Sequence, residues 1–238
     1  MSELKVFPTK DALIAAASEH VVHTISNALA RSAQAFIALS GGSTPKPLYE
    51  QLAQAAQLDW KRIHVCFVDE RNVGPDDKES NFRMIRAAML SHIAIPEQNV
   101  HRMRGELPAE QAAADYEREL RALTIPLADE SPVFDFMLLG MGPDGHTASL
   151  FPDTAALQER QRWVTANHVA KLNTNRITLT YPVINRSRSL AFLVSGEDKA
   201  QPFAEILSGK SSLPAAAIAP VTGELIWFAD QAAAALVS

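Results

Sequence analysis

The chain has 238 residues, 47% of them hydrophobic, a formal net charge of −5 and one cysteine. That size supports a full core in one large α/β domain or two small ones, and the acidic balance excludes extended nucleic-acid binding, which needs concentrated Lys and Arg. Cys66 is alone, so no internal disulfide forms, and its apolar setting Ile63-His64-Val65-Cys66-Phe67-Val68 predicts a small packed core residue in a reducing compartment.

Met1-Ser2-Glu3-Leu4-Lys5 lacks a basic segment followed by an apolar one, and no apolar run reaches membrane-spanning length. A cytoplasmic protein without a membrane segment is expected. Thr9 stands where a helix cap belongs, and Leu13, Ile14, Ala17, Val21, Ile25 and Leu29 make one apolar helical face behind it. His20 and His23 share a helix face without forming H-E-x-x-H and read as surface residues.

Ala35 to Leu39 reads as a strand, and Ser40-Gly41-Gly42-Ser43-Thr44-Pro45 turns it into a helix carrying Leu48, Tyr49, Leu52 and Ala53. Ile63 to Val68 repeats the pattern, passing through Asp69-Glu70-Arg71 and a polar loop into a helix from about Ser80. A helix follows at about Pro108 to Leu123, then a strand at Phe134 to Leu139. Further strands are expected near Trp163 to Ala166, Ile177 to Thr180, Leu190 to Val194 and Leu225 to Phe228. Between the last two, a helix carries Lys199, Ala200, Phe203, Ile206 and Leu207. Such alternation predicts a parallel sheet with helices on both faces, and the lack of repeats or a low-complexity linker favours one domain over 1–238.

The segment Gly140-Met141-Gly142-Pro143-Asp144-Gly145-His146-Thr147-Ala148-Ser149-Leu150-Phe151-Pro152 is where chemistry is expected, because it puts a carboxylate and an imidazole on a glycine-rich turn after a buried strand. It also spells G-x-G-x-x-G. A dinucleotide site would need that turn to open into a long helix, with an acidic residue some way beyond. Pro143 and Phe151-Pro152 oppose the helix, and Trp163-Val164-Thr165-Ala166-Asn167 supplies no carboxylate. Asp144-Gly145-His146 suits acid–base work instead, since a histidine titrates near neutrality and a nearby carboxylate orients it; the bland alternative is a histidine that caps a turn. Zinc fits poorly, because Asp144 and His146 offer two ligands where a catalytic zinc takes three.

Ser40 to Pro45 offers backbone N–H groups and two hydroxyls to a phosphate or sugar oxygen, or is an ordinary turn capped by Ser43 or Thr44. It is neither a Walker A loop nor the G-x-S-x-G elbow of a serine nucleophile. Lys199 at a helix start calls for an anion, unless Glu197 and Asp198 neutralise it. Arg71 and Arg176 are surface or paired residues unless they converge on one cleft.

Taken together, these segments resemble the glucosamine-6-phosphate isomerase/6-phosphogluconolactonase family. The likeness rests on Leu39 to Pro45, Val68-Asp69-Glu70-Arg71, Ser80-Asn81, Gly140 to Pro152, Arg176-Ile177-Thr178-Leu179-Thr180 and Gly196-Glu197-Asp198-Lys199-Ala200. It implies a Rossmann-like three-layer α/β/α fold with a mostly parallel central sheet, similar to the glucosamine-6-phosphate deaminase fold. It further implies hydrolysis of 6-phospho-D-glucono-1,5-lactone to 6-phospho-D-gluconate in the oxidative pentose phosphate pathway, without cofactor or metal, by a monomer or small homo-oligomer.

By the same resemblance His146 is the base for water, with Asp144 beside it and Arg71 in the lactonase pocket. Gly42, Ser43, Thr44, Arg176 and Lys199 fall at phosphate- or sugar-binding positions. The rival readings are a deaminase-like isomerase and a noncatalytic sugar-phosphate-binding protein. The deaminases resemble Ile-Ala-Phe-Asn-Glu-Pro after Asp-Gly-His, where this chain has Phe151 in place of the glutamate, and Asp-Glu-Tyr where it has Asp69-Glu70-Arg71.

Overall fold

The computed structural model describes residues 2–124 and 133–237. Seven strands form one parallel sheet: β1 (Ser2–Phe7), β2 (Ala35–Leu39), β3 (Ile63–Phe67), β5 (Val100–His101), β6 (Phe136–Gly140), β9 (Ser189–Val194) and β10 (Glu224–Asp230). Their spatial order is β1-β10-β9-β6-β2-β3-β5. A second sheet, antiparallel, is made of β4 (Asp69–Arg71), β7 (Val164–Val169) and β8 (Thr174–Leu179) in the order β4-β8-β7.

Strand residues alternate between two cores, as a period of two requires when both faces are covered. In β6, Phe136 and Leu138 pack on one side while Met137 and Leu139 pack on the other. In β10, Ile226 and Phe228 oppose Trp227 and Ala229 in the same way. The first side is covered by α1 (Lys10–Arg31), α2 (Lys46–Leu52) and α3 (Asn81–Ala88), the second by α4 (Ala109–Thr124), α5 (Tyr181–Ile184) and α6 (Ala200–Leu207). Among the described residues no helix is long and apolar enough to cross a membrane.

Local sequence explains most of these elements. The Thr9 side chain accepts from Ala12 N at 3.2 Å and starts α1, whose Leu13, Ile14, Ala17, Val21, Ile25 and Ala28 are buried. Truncating one of its large aliphatic residues to Ala costs about 2–5 kcal/mol. Ser80 caps α3, accepting from Arg83 N at 3.1 Å. Cys66 is buried and free, and burial pushes its thiol pKa up.

Several expectations need correction. The strands expected near Trp163 and Ile177 are β7 and β8; they pair antiparallel with each other through a turn at Asn173, which adopts a left-handed φ of 46°, and stand outside the parallel sheet. Asp69-Glu70-Arg71, expected to lead from the end of the Ile63 to Val68 strand into a polar loop, is the third strand of that sheet, paired with β8. Neither Ser43 nor Thr44 caps α2, because the N-cap position falls one to two residues later, on Pro45, with no side-chain cap. His20 is half-buried, its ring 5.5 Å from that of Phe228, whereas His23 is exposed.

Strand order places the site. From β2 the chain proceeds outward through β3 and β5, then returns to the other side of β2 with β6 and continues outward through β9 and β10. The reversal between β2 and β6 is a topological switch point, and loops at the carboxyl ends of such strands diverge to leave a crevice.

Candidate active site

Loops leaving β2 (Ser40 to Pro45), β3 (Asp69), β6 (Gly140 to Phe151) and β9 (Ser195 to Lys199) border a cavity of about 320 Å³ at this switch point. The β4–β8 sheet closes one side with Arg71 and Arg176. Of the residues singled out from sequence, Gly42, Ser43, Thr44, Arg71, His146, Arg176 and Lys199 all line the cavity. Asp144 stands behind His146 instead.

His146 Nδ1 lies 2.5 Å from Asp144 Oδ1, which also accepts the His146 backbone N–H at 3.2 Å. A carboxylate only accepts, so the ring proton sits on Nδ1 and Nε2 keeps its lone pair. The imidazole stacks on Phe151, ring centres 4.1 Å apart and planes 23° apart. Burial pushes the His146 pKa down to about 4; Asp69 opposes this, while Lys199, Arg176 and Arg71 add to it. The ring is therefore neutral near pH 7 and able to take a proton.

Two glycines of the turn serve this geometry. A methyl group on Gly142 would lie 2.1 Å from His146 Nδ1 and Cε1, so only a glycine lets the ring fold back over the loop. Gly145 has a φ of +72°, and a methyl there would lie 2.8 Å from Leu213 Cβ. The G-x-G-x-x-G spacing thus positions a histidine. No long helix follows it: the next helical turn is the short 3-10 segment Ala155–Gln158.

Opposite the histidine, Arg71 and Arg176 face each other across β4 and β8. Arg71 Nη1 donates to Glu79 O at 2.5 Å and Arg176 Nη1 donates to Thr174 Oγ1 at 2.8 Å. Among the described residues neither has a carboxylate partner, and burial followed by the charge of Arg71 lowers the Arg176 pKa. Two neighbouring cations at one cavity wall, neither in an ion pair among the described residues, form a place for an anion, although Asp69, Glu79 and Glu70 lie near enough to offset part of the Arg176 charge. Lys199 reaches the same cavity but donates to Asp198 Oδ2 at 2.5 Å, so the neutralising partner foreseen in the sequence is present. The Ser43 and Thr44 hydroxyls make no hydrogen bond among the described residues and remain available to a ligand.

The adjacent carboxylates Asp69 and Glu70, which the sequence alone does not tell apart, separate cleanly. Asp69 lines the cavity, accepting from Ser149 Oγ at 2.6 Å. Glu70 turns away to the start of α3, where it accepts from the backbone N–H groups of Asn81 and Phe82 and from Ser80 Oγ, while it also accepts from the adjacent Arg71 N–H in β4. Asn81 and Ser149 also line the cavity. Ser80-Asn81 carried a signal in the resemblance; Ser149 lay in the loop but had no motif of its own. No group of three or more His, Cys, Asp or Glu residues suited to a metal ion occurs among the described residues.

Comparison with known proteins places the chain in a family. The family profile described as glucosamine-6-phosphate isomerases/6-phosphogluconolactonase matches residues 8–227. The chain belongs to this family. A 6-phosphogluconolactonase of Synechocystis is 46% identical over 97% of this chain and 96% of its own length. The crystal structure of 6-phosphogluconolactonase from Thermotoga maritima superposes with a TM-score of 0.86 at 33% identity, covering 97% of this chain and 100% of that one. A monomeric glucosamine-6-phosphate deaminase has the same fold, with a TM-score of 0.83 over 98% and 99% of the two chains at 21% identity. The family description names both isomerases and a lactonase, so the side chains at the site bear on which activity this chain has.

Proposed function

We propose that the protein hydrolyses 6-phospho-D-glucono-1,5-lactone to 6-phospho-D-gluconate, as a step of the oxidative pentose phosphate pathway. The observation that carries this reading is a neutral imidazole whose Nδ1 is held by Asp144, leaving Nε2 to accept, at one cavity wall, and the neighbouring Arg71 and Arg176 at another. His146 Nε2 takes a proton from water as the water attacks the lactone carbonyl, and returns it to the ring oxygen as the ring opens. Asp144 holds the imidazole and stabilises its transient charge.

The phosphate, carrying roughly −2 charge, is anchored by Arg176 and Lys199 with Gly42, Ser43 and Thr44, while Arg71 meets the lactone end. Anchoring remote from the reacting carbon aligns it for attack. Neither a metal nor an organic cofactor enters this scheme. One domain over 1–238 suits it, because both cores share the same sheet. The protein acts in the cytoplasm as a monomer or small homo-oligomer, and the buried, free Cys66 suits such a reducing compartment.

Phe151 favours the lactonase over its deaminase relatives. Its ring stacks on His146 where the deaminase pattern has a glutamate, and a phenyl ring transfers no proton. Incubation with freshly generated lactone should release acid well above the spontaneous rate, and glucosamine 6-phosphate should yield no ammonia. Ammonia release without lactone turnover would establish the deaminase reading; phosphosugar binding without either reaction would establish the noncatalytic one.

A further inference from the structure

The turn joining β7 to β8 ends beside the loop that carries His146. Its short helical turn, Ala170–Leu172, closes on left-handed Asn173, which directs Lys171 toward the loop after β6. Lys171 Nζ contacts Asp144 Oδ2 and lies 5.1 Å from the centre of the Phe151 ring. Both oxygens of Asp144 are thereby committed, Oδ1 to His146 and Oδ2 to Lys171. Phe151 is 5% exposed and touches both partners, stacking on the imidazole and lying beneath the ammonium group. Lys171 itself does not line the cavity, although its neighbour Leu172 does.

An ion pair this exposed adds little to stability, about 0–1 kcal/mol. Its location is what matters. A carboxylate bound on one side only rotates about its terminal torsion, and the Nδ1 hydrogen bond then fluctuates in direction. We propose that Lys171 is a positioning residue: it pins Asp144 and the Phe151 ring from outside the cavity, and so fixes where His146 Nε2 points and how basic it is. The inference rests on His146 acting as the base, but it concerns a side chain that sequence spacing did not associate with the site.

The charges facing His146 set the direction of the effect. They are Asp69 and Arg71 from β4, Arg176 from β8, Lys199 before α6, Asp144 from its own loop and Lys171 from the β7–β8 turn. Removing the Lys171 charge leaves the pull of Asp144 on the imidazolium less opposed, so His146 becomes more basic. The acid limb of kcat/KM then moves to higher pH.

The test uses Lys171→Met, which keeps an apolar stem over Phe151, and Lys171→Arg, which keeps the charge. Each is assayed for lactone hydrolysis from pH 3.5 to 7, and His146 is titrated by NMR in the ligand-free protein. Lys171→Met should lower kcat about tenfold with KM within about twofold of wild type. Its acid limb and its His146 titration should both rise by about half a pH unit or more, with Lys171→Arg restoring both. An unchanged His146 titration in Lys171→Met overturns the proposal, as does a change confined to KM, which would make Lys171 a substrate-binding group. Because the titration needs no substrate, an absence of lactone turnover in the wild type would defeat the lactonase reading separately.

Discussion

At the scale of single residues, the site depends on what burial does to His146. In the folded chain its pKa stands near 4 against an ordinary 6.5, so between those values the unfolded chain binds more protons than the folded one. Stability conferred by the neutral ring is complete above pH 6.5 and falls as pH drops toward 4, by on the order of 3 kcal/mol in all. His146→Gln removes this titration. Urea unfolding of wild type and variant at pH 7 and pH 4.5 should show a smaller acid loss in the variant; equal losses would contradict the assignment of a half-buried, neutral ring. The pair Asp144–His146 was legible in the sequence because both residues lie on one turn and their contact is local. Asp69 and Asn81 carried part of the family resemblance without a role in the site, and Lys171 carried no signal, since strand pairing and a hairpin turn bring them there from distant segments.

At the scale of elements, Glu70 shows how a carboxylate that borders a site can work for the scaffold instead. Its oxygens accept from the Asn81 and Phe82 N–H groups of the first turn of α3, which a helix leaves without internal partners, from the Ser80 hydroxyl beside them and from the Arg71 N–H in β4. That clamp holds Asn81 and Arg71, both of which face the cavity. Glu70→Ala should lower unfolding stability by about 3 kcal/mol, because hydrogen bonds to a buried charge are lost together. Equilibrium urea denaturation measures it, and a loss below about 0.5 kcal/mol would mean that Glu70 is not holding the helix. The long helices and buried parallel strands were legible because apolar periodicity extends over many residues, as in α1 and β6. The β7–β8 hairpin was harder to place: its strands read as apolar runs, but the turn uses Asn173 in place of a glycine, and its direction is set by contacts with β4. Strands β1 and β5 carried no expectation, the first half-exposed at the sheet edge and the second only Val100–His101.

At the scale of the whole molecule, a chain of net charge −5 gathers Arg71, Arg176 and Lys199 at one crevice, so an anionic substrate meets local attraction against an unfavourable overall charge. The strand order creates that crevice, and the sequence carried it only indirectly: each strand–turn–helix unit was visible, whereas the reversal between β2 and β6 emerges only when the strands are ordered in space. With phosphate anchors on one side and an oriented base on the other, the account assigns the chemical step to His146 and the grip on substrate to groups elsewhere. The most direct test follows acid release from freshly generated 6-phosphogluconolactone at pH 6.5, corrected for spontaneous opening, for wild type and His146→Ala. The account predicts that kcat falls about 10²–10⁴-fold while KM changes little. A variant whose kcat stays within about twofold of wild type would contradict the assignment of His146 as the base.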